Sequence, residues 1–249
     1  MKPAPVRRAG PRLYCELALS PGAEIALPAA ATRHAVNVLR LQPGDTLTLF
    51  NGAGGEYQAS LVAVNKREAR ARITGFHATE RESPVQITLA LAISAGERMD
   101  YSLQKATELG VTSIQPLATE RSVVKLAGER ADKRLQHWQH VVIAACEQCG
   151  RNRVPVVAPL RQFYAYLAGL DRNRRLLMLS PYADKPLKQV APAASAVLLV
   201  GAEGGLAPAE FEAAEASGFE PVKLGPRTLR TETAPVAALA VLQALWGDL

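Results

Sequence analysis

No apolar run in this chain of 249 residues reaches the roughly 18 residues that a helix needs to cross a bilayer. The most apolar stretch, near the C-terminus, is Ala-rich and about 13 residues long, which suits a core helix. An apolar h-region is missing as well. The opening "MKPAPVRRAGPRLYCELAL" is basic, so no signal peptide is expected, and the chain is placed in the cytoplasm. Internal repeats are lacking, and so is low-complexity sequence beyond a bias to Ala.

Cysteine is scarce, and the three residues cannot all pair within one chain. Cys146 and Cys149 form a CxxC near His137 and His140, a pattern that invites a zinc site. The surrounding "RADKRLQHWQHVVIAACEQCG" argues otherwise. Leu135, Trp138, Val142 and Ala145 fall at helical spacing. On one helix His137 and Cys149 lie about 18 Å apart, too far to share an ion through bonds of about 2 Å. A redox CxxC sits at a helix N-terminus, where the thiol pKa is depressed. This one sits at the other end. The cysteines are read as reduced and structural, and no metal is called for.

What is present begins with charge. Net charge is +6, unevenly placed: residues 1–83 carry 11 Lys/Arg against 7 Asp/Glu, and residues 84–249 carry 18 against 16. A basic first third fits a polyanion such as RNA. A merely solubilising surface fits equally well.

Two styles of sequence meet near residue 83. From 12 to 76 the segments are short: "RLYCELAL", "AEIAL", "DTLTLFNG", "EYQASLVAVN" and "ARARITGF". Turn signals separate them, which predicts a small antiparallel barrel or sandwich. One helix interrupts, "AATRHAVNVLRL", with Ala35, Val38 and Leu39 as its buried stripe and Pro43-Gly44 as its stop. "ATERESP" is a polar linker. After Pro84, apolar strands alternate with helices, the pattern of a mostly parallel sheet covered on both faces. The expected domains are 1–77 and 84–249.

Ligands of parallel α/β sheets bind beyond the carboxyl ends of the strands. Three such ends carry unusual loops: "LSPYADKP", "GAEGGLAP" and "LGPRTLRTETA". They converge on one pocket if their strands are neighbours. The second is neither a Walker A nor a GxGxxG. Its Gly201, Gly204 and Gly205 would let backbone approach a ligand, and its Glu203 disfavours a phosphate-rich one. In the third loop Thr231 and Thr233 are natural N-caps of the last helix, and Glu232 suits the helix dipole. Arg227 and Arg230 oppose that dipole, which points to an anionic partner: Glu232, a substrate phosphate, or an anion formed in a reaction.

At this point the residues resemble a known family. "ERMDYSLQKATELGV", "ERSVVK", "AACEQCGRNRVP", "GAEGGL" and "LGPRTLRTETA", in that order, together with "HAVNVLRLQPGD", are similar to the RsmE family. These are small-subunit ribosomal RNA methyltransferases of the SPOUT superfamily. The likeness spans nearly the whole chain. It departs at Ala202, where proline is usual, and Thr228, where an aliphatic residue is usual.

The resemblance implies a PUA-like β-barrel at residues 1–77 that contacts RNA. It implies a SPOUT α/β methyltransferase domain at 84–249 with a deep C-terminal trefoil knot. The implied activity is S-adenosylmethionine-dependent methylation of a uridine N3 in 16S rRNA (uridine 1498 in the usual numbering) by a homodimer with its active site at the subunit interface. The cofactor is expected among Leu179, Ser180, Val200, Gly201, Glu203, Gly204, Gly205, Leu224, Gly225, Thr228, Leu229 and Arg230. Arg230 is expected to stabilise the N3 anion, and Glu232 to act as base or to orient Arg230. Arg7, Arg8, Arg12, Arg40 and Arg121 are the expected RNA contacts. Two rival readings are a nucleotide-dependent oxidoreductase, which lacks a glycine fingerprint here, and an RNA-binding module without catalysis.

Overall fold

The computed structural model describes residues 10–65 and 67–249; Arg7 and Arg8 lie outside them. The chain divides into two units. The first runs to Arg81 and also takes in Cys146–Val154, and the second holds Glu82–Ala145 and Pro155–Leu249.

In the first unit the five short segments become strands: β1 (Arg12–Tyr14), β2 (Glu24–Ala26), β3 (Thr46–Phe50), β4 (Glu56–Val64) and β5 (Ala69–His77). They form one sheet in the order β1-β3-β4-β5-β2. β1 runs parallel to β3, and the other pairings are antiparallel. Alternating sequence becomes alternating burial. Ala69, Ala71 and Ile73 of β5 face the core, while Arg70, Arg72 and Thr74 face out. Leu13, Leu47, Leu49 and Leu61 complete that core.

The interrupting helix forms but changes pitch. α1 covers Ala29–Arg33, and a π-helical turn follows at His34–Val38. Ala35 is buried as expected, whereas Val38 and Leu39 are 68% and 37% exposed. A π turn takes in an extra residue and so rotates the next residues off the α-helical stripe. The Leu41 amide then donates back to the Ala35 carbonyl at 2.9 Å. Arg40 between them is left-handed, at φ 54°. This is a left-handed C-terminal cap, one residue wider than a Schellman motif because of the π turn, with arginine where glycine is usual.

Residues 146–154 join the first unit through polar groups. The Tyr14 amide donates to Glu147 Oε1 at 2.9 Å. Asn152, fully buried, accepts from Arg12 at 2.7 Å and donates to the Thr79 carbonyl at 2.6 Å. Arg12 is also paired with Glu56. Burial pushes the Glu56 carboxyl up, but Arg12 and Arg81 outweigh it and hold the group below its ordinary range. Arg12 is thus committed inside the unit, a structural cation rather than the free RNA contact the sequence led us to expect. A single cut near residue 83 also misses the return of 146–154, because no periodicity in "CGRNRVP" marks it.

The second unit is a parallel sheet of β6 (Gln86–Ala92), β7 (Ser113–Ala118), β8 (Val156–Val157), β9 (Arg161–Gln162), β10 (Arg175–Leu179), β11 (Ser195–Val200) and β12 (Glu220–Val222). The order is β12-β10-β11-β6-β7-β8, with β9 also on β7. Its helices are α2 (Gly96–Glu108), α3 (Glu129–Cys149, whose last turn belongs to the first unit), α4 (Phe163–Ala168), α5 (Pro208–Ala216) and α6 (Thr233–Trp246). β8, β9 and α4 are too short to give a periodic signal. Phe163, Tyr166 and Leu167 of α4 and Ala214 of α5 pack onto Met178, Val197 and Leu199 of the sheet. Within apolar α6, buried Gln243 donates to the Leu109 carbonyl at 2.9 Å and accepts from Ser83 at 2.6 Å, so it is satisfied.

Cys15, Cys146 and Cys149 form no disulfide. Among the described residues no cluster of His, Cys, Asp and Glu is arranged to hold a metal, and no helix is long and apolar enough to cross a membrane.

Candidate active site

β12, β10 and β11 are adjacent and parallel, so their carboxyl ends open on the same edge of the sheet. The three loops that follow them enclose a cleft of about 610 Å³, a size typical of small-molecule sites. Leu179 and Ser180 line it from the first loop, Val200–Gly205 from the second, and Leu224, Gly225, Thr228 and Leu229 from the third. Of the residues expected around a cofactor, Arg230 alone is not part of the wall.

The loops are fastened to one another. The Ser180 amide donates to the Val222 carbonyl at 2.9 Å. Lys223 donates to the Lys185 carbonyl at 3.0 Å and accepts from the Leu187 amide at 2.9 Å. The glycine loop closes on itself through the Gly205 amide and the Ala202 carbonyl at 2.8 Å. Gly205 is left-handed at φ +71°, and a Cβ on Gly201 would fall 2.8 Å from the Gly205 carbonyl carbon. Both glycines are therefore required by the loop's own shape.

Side chains brace the same loop. The Thr231 hydroxyl donates to the Gly201 carbonyl at 3.1 Å, and Arg121 donates to the Gly204 carbonyl at 2.8 Å. The Glu203 carboxylate accepts from the Ala95 amide at 3.1 Å and from Arg98 at 3.2 Å. Burial pushes its pKa up, but its own amide, the Ala95 amide and Arg98 together hold it below the ordinary range. Its charge is therefore already matched within the protein.

The start of α6 differs from its expected form. Thr233 is the first helical residue, and Glu232 occupies the cap position with no side-chain cap bond. An N-cap side chain folds back only from an extended backbone. Glu232 is already helical, at φ −78° and ψ −25°. Thr231 turns away to Gly201, and the Thr233 and Ala234 amides are met by the Arg230 carbonyl at 3.0 and 2.9 Å. The caps that the sequence assigns to the two threonines are not made.

Arg227 lines the cleft, and Arg230 is exposed beside it. Among the described residues neither guanidinium has a hydrogen bond or ion pair, with Glu232 or any other group. Arg40 is exposed, and its guanidinium is likewise without a partner among the described residues. Arg121, expected at RNA, is exposed and lines the cleft. Thr231, Tyr182 and Phe211 line it too and were not foreseen. Applying the strand-end rule to β7 as well would have found Arg121.

Residues 81–243 match the RNA methyltransferase domain family, and residues 27–74 the RNA methyltransferase PUA domain. The ribosomal RNA small subunit methyltransferase E of Buchnera aphidicola (subsp. Schizaphis graminum) is 34% identical over 96% of this chain and 98% of its own. That of Synechocystis is 37% identical over 90% of this chain and 74% of its own. Among solved structures, the Neisseria gonorrhoeae ribosomal RNA small subunit methyltransferase E bound to S-adenosyl methionine is similar with a TM-score of 0.90 at 44% identity, covering 96% of this chain and 99% of that one. A Legionella pneumophila methyltransferase in complex with its cofactor SAM is similar with a TM-score of 0.93 at 39% identity, covering 97% and 100%.

Proposed function

Because the chain belongs to the ribosomal RNA small subunit methyltransferase E family, we propose that it methylates N3 of one uridine in 16S rRNA with S-adenosylmethionine as donor. The observation that carries the reading is the cleft at the ends of β10, β11 and β12, whose three loops hold one another in place.

The cleft fits that donor. Leu179, Val200, Leu224 and Leu229 offer apolar surface for an adenosine. Gly201 and Gly205 shape a backbone cradle in which an added Cβ at Gly201 has no room. When bound, the cofactor supplies an electrophilic methyl group on a sulfonium centre. The protein must then promote loss of the uridine N3 proton. With a pKa of about 10, this costs roughly 4 kcal/mol at pH 7. The Arg230 and Arg227 guanidinium groups, without a partner among the described residues, are suited to hold the N3 anion by charge and hydrogen bonding. Glu232, two residues after Arg230 and not paired with it in the ligand-free chain, is the carboxylate we assign to receive the proton or to orient the guanidinium once substrate is bound.

Arg230 stands outside the wall of the cleft, which fits a site completed by a second copy of the chain in a homodimer. The first unit, PUA-like by its family match, is the RNA-binding part, with exposed Arg40 on its surface. The C-terminal trefoil knot implied by the family is part of the same reading, and Lys223 running alongside residues 185–187 is compatible with it. The setting is the cytoplasm, where small subunits are assembled.

Calorimetry with S-adenosylmethionine and with NAD tests the cleft. The proposal expects saturable binding of the first and none of the second. Binding of NAD alone would return the oxidoreductase reading, and methyl-donor binding without transfer to any small-subunit RNA would leave an RNA-binding protein.

A further inference from the structure

Glu210 has no part in this chemistry, yet it is 2% exposed, and buried charges are tolerated only when paired or hydrogen-bonded. Both of its oxygens are used. Oε2 accepts from the Ala207 amide at 3.0 Å, and Oε1 accepts from the Glu120 amide at 2.8 Å. The first bond is local, a carboxylate in the first turn of α5 closing on the amide that precedes the helix. Capping does not account for the second, which reaches across the fold to the loop after β7.

That loop is a tight turn. The Thr119 and Ser122 hydroxyls are 2.9 Å apart, and the Ser122 amide donates to the Thr119 carbonyl at 3.1 Å. The residue after Glu120 is Arg121, which reaches from the turn to the glycine loop. Besides its bond to the Gly204 carbonyl, its stem lies against Gly204, where an added Cβ would sit 3.3 Å from Arg121 Cδ. Ala207, the other group that Glu210 holds, lies two residues beyond Gly205. One buried carboxylate therefore holds the exit of the glycine loop directly and its crown through Arg121.

We infer that Glu210 is a positioning residue for the cofactor loop, acting through the Glu120 amide on Arg121, and that Arg121 is the clamp of that loop. The inference rests on the reading of the cleft as the S-adenosylmethionine site. A loop set before binding spares the ligand the cost of ordering it. The carboxylate is needed because two amide donors face it. A glutamine offers one oxygen and one NH₂, and leaves one donor facing another donor.

The test is a double-mutant cycle in S-adenosylmethionine affinity. Arg121→Ala and Glu210→Gln should each raise Kd about tenfold, and the double variant should be no worse than the weaker single. Hydrogen exchange of the ligand-free protein gives the direction of action. Glu210→Gln should speed exchange at Glu120 and over residues 202–205, Arg121→Ala only over 202–205, with β6 and β7 unchanged in both. Effects on Kd that multiply in the double variant overturn the inference, as does unchanged affinity in Arg121→Ala. If Glu210→Gln fails to fold, Arg121→Ala decides alone, because its side chain is at the surface. A wild type that binds no S-adenosylmethionine refutes the reading of the cleft, and the exchange pattern then still judges the positioning role.

Discussion

The Thr231 hydroxyl donates to the Gly201 carbonyl across 3.1 Å and so joins the loop before α6 to the loop after β11. A threonine at the start of a helix ordinarily serves an amide of that helix. Here it serves a neighbouring loop and ties two walls of the cleft together.

Thr231→Val keeps the shape and removes the donor. Kd for S-adenosylmethionine should rise several-fold, while Tm moves by less than about 2 °C, since no cap is lost. A lost cap would cost about 1 kcal/mol and some 2–4 °C in a chain of this size. Calorimetry and thermal melting of the same preparation separate the two. A large fall in Tm with unchanged affinity would restore the capping role.

The glycines of the second loop should not respond alike. Gly201→Ala sets a Cβ 2.8 Å from backbone, so the loop must move, and Kd should rise more than tenfold. Gly204→Ala meets only the flexible stem of Arg121 at 3.3 Å, and its effect should be small. Equal losses in titrations of the two variants would mean that the loop's own packing does not shape the site.

Arg40 trades stability for an exposed charge. At a left-handed C′ position glycine is preferred over other residues by about 1 kcal/mol. Arg40→Gly should therefore raise Tm and weaken RNA binding, lowering the salt slope of log K by roughly 0.7–0.9 for one lost phosphate contact. A lower Tm with an unchanged slope would make the arginine a structural residue.

Arg230→Ala should lower kcat about 100-fold or more with little change in cofactor affinity, because the lost interaction belongs to the transition state. Arg230→Lys should rescue poorly, since a point charge lacks the planar fork of donors. Raising pH toward the uridine pKa should help the alanine variant more than the wild type, as hydroxide then supplies the anion. Loss of dimer on size exclusion without pH rescue would make Arg230 an interface residue instead.

Sequence pattern reached the strands other than β8 and β9 because burial in this fold follows alternation, as in β5, and apolar runs, as in β11. It placed three loops on one pocket because strand ends are legible, and the family resemblance supplied the residues within them. It missed the π turn after Arg33, since one inserted residue leaves the local composition unchanged. It missed the work of Thr231, Arg121 and Glu210 for a different reason. Each acts on a partner at least 30 residues away in sequence, and such pairings exist only once β7, β11 and the loop before α6 are brought together.

The most direct measurement is mass-spectrometric mapping of small-subunit RNA from cells lacking the protein, before and after incubation with the purified protein and S-adenosylmethionine. The account predicts one new methyl group, on N3 of a single uridine, with either the naked RNA or the assembled subunit as substrate. A methyl group on a ribose hydroxyl or on another base atom, or no methylation of either substrate, would contradict it.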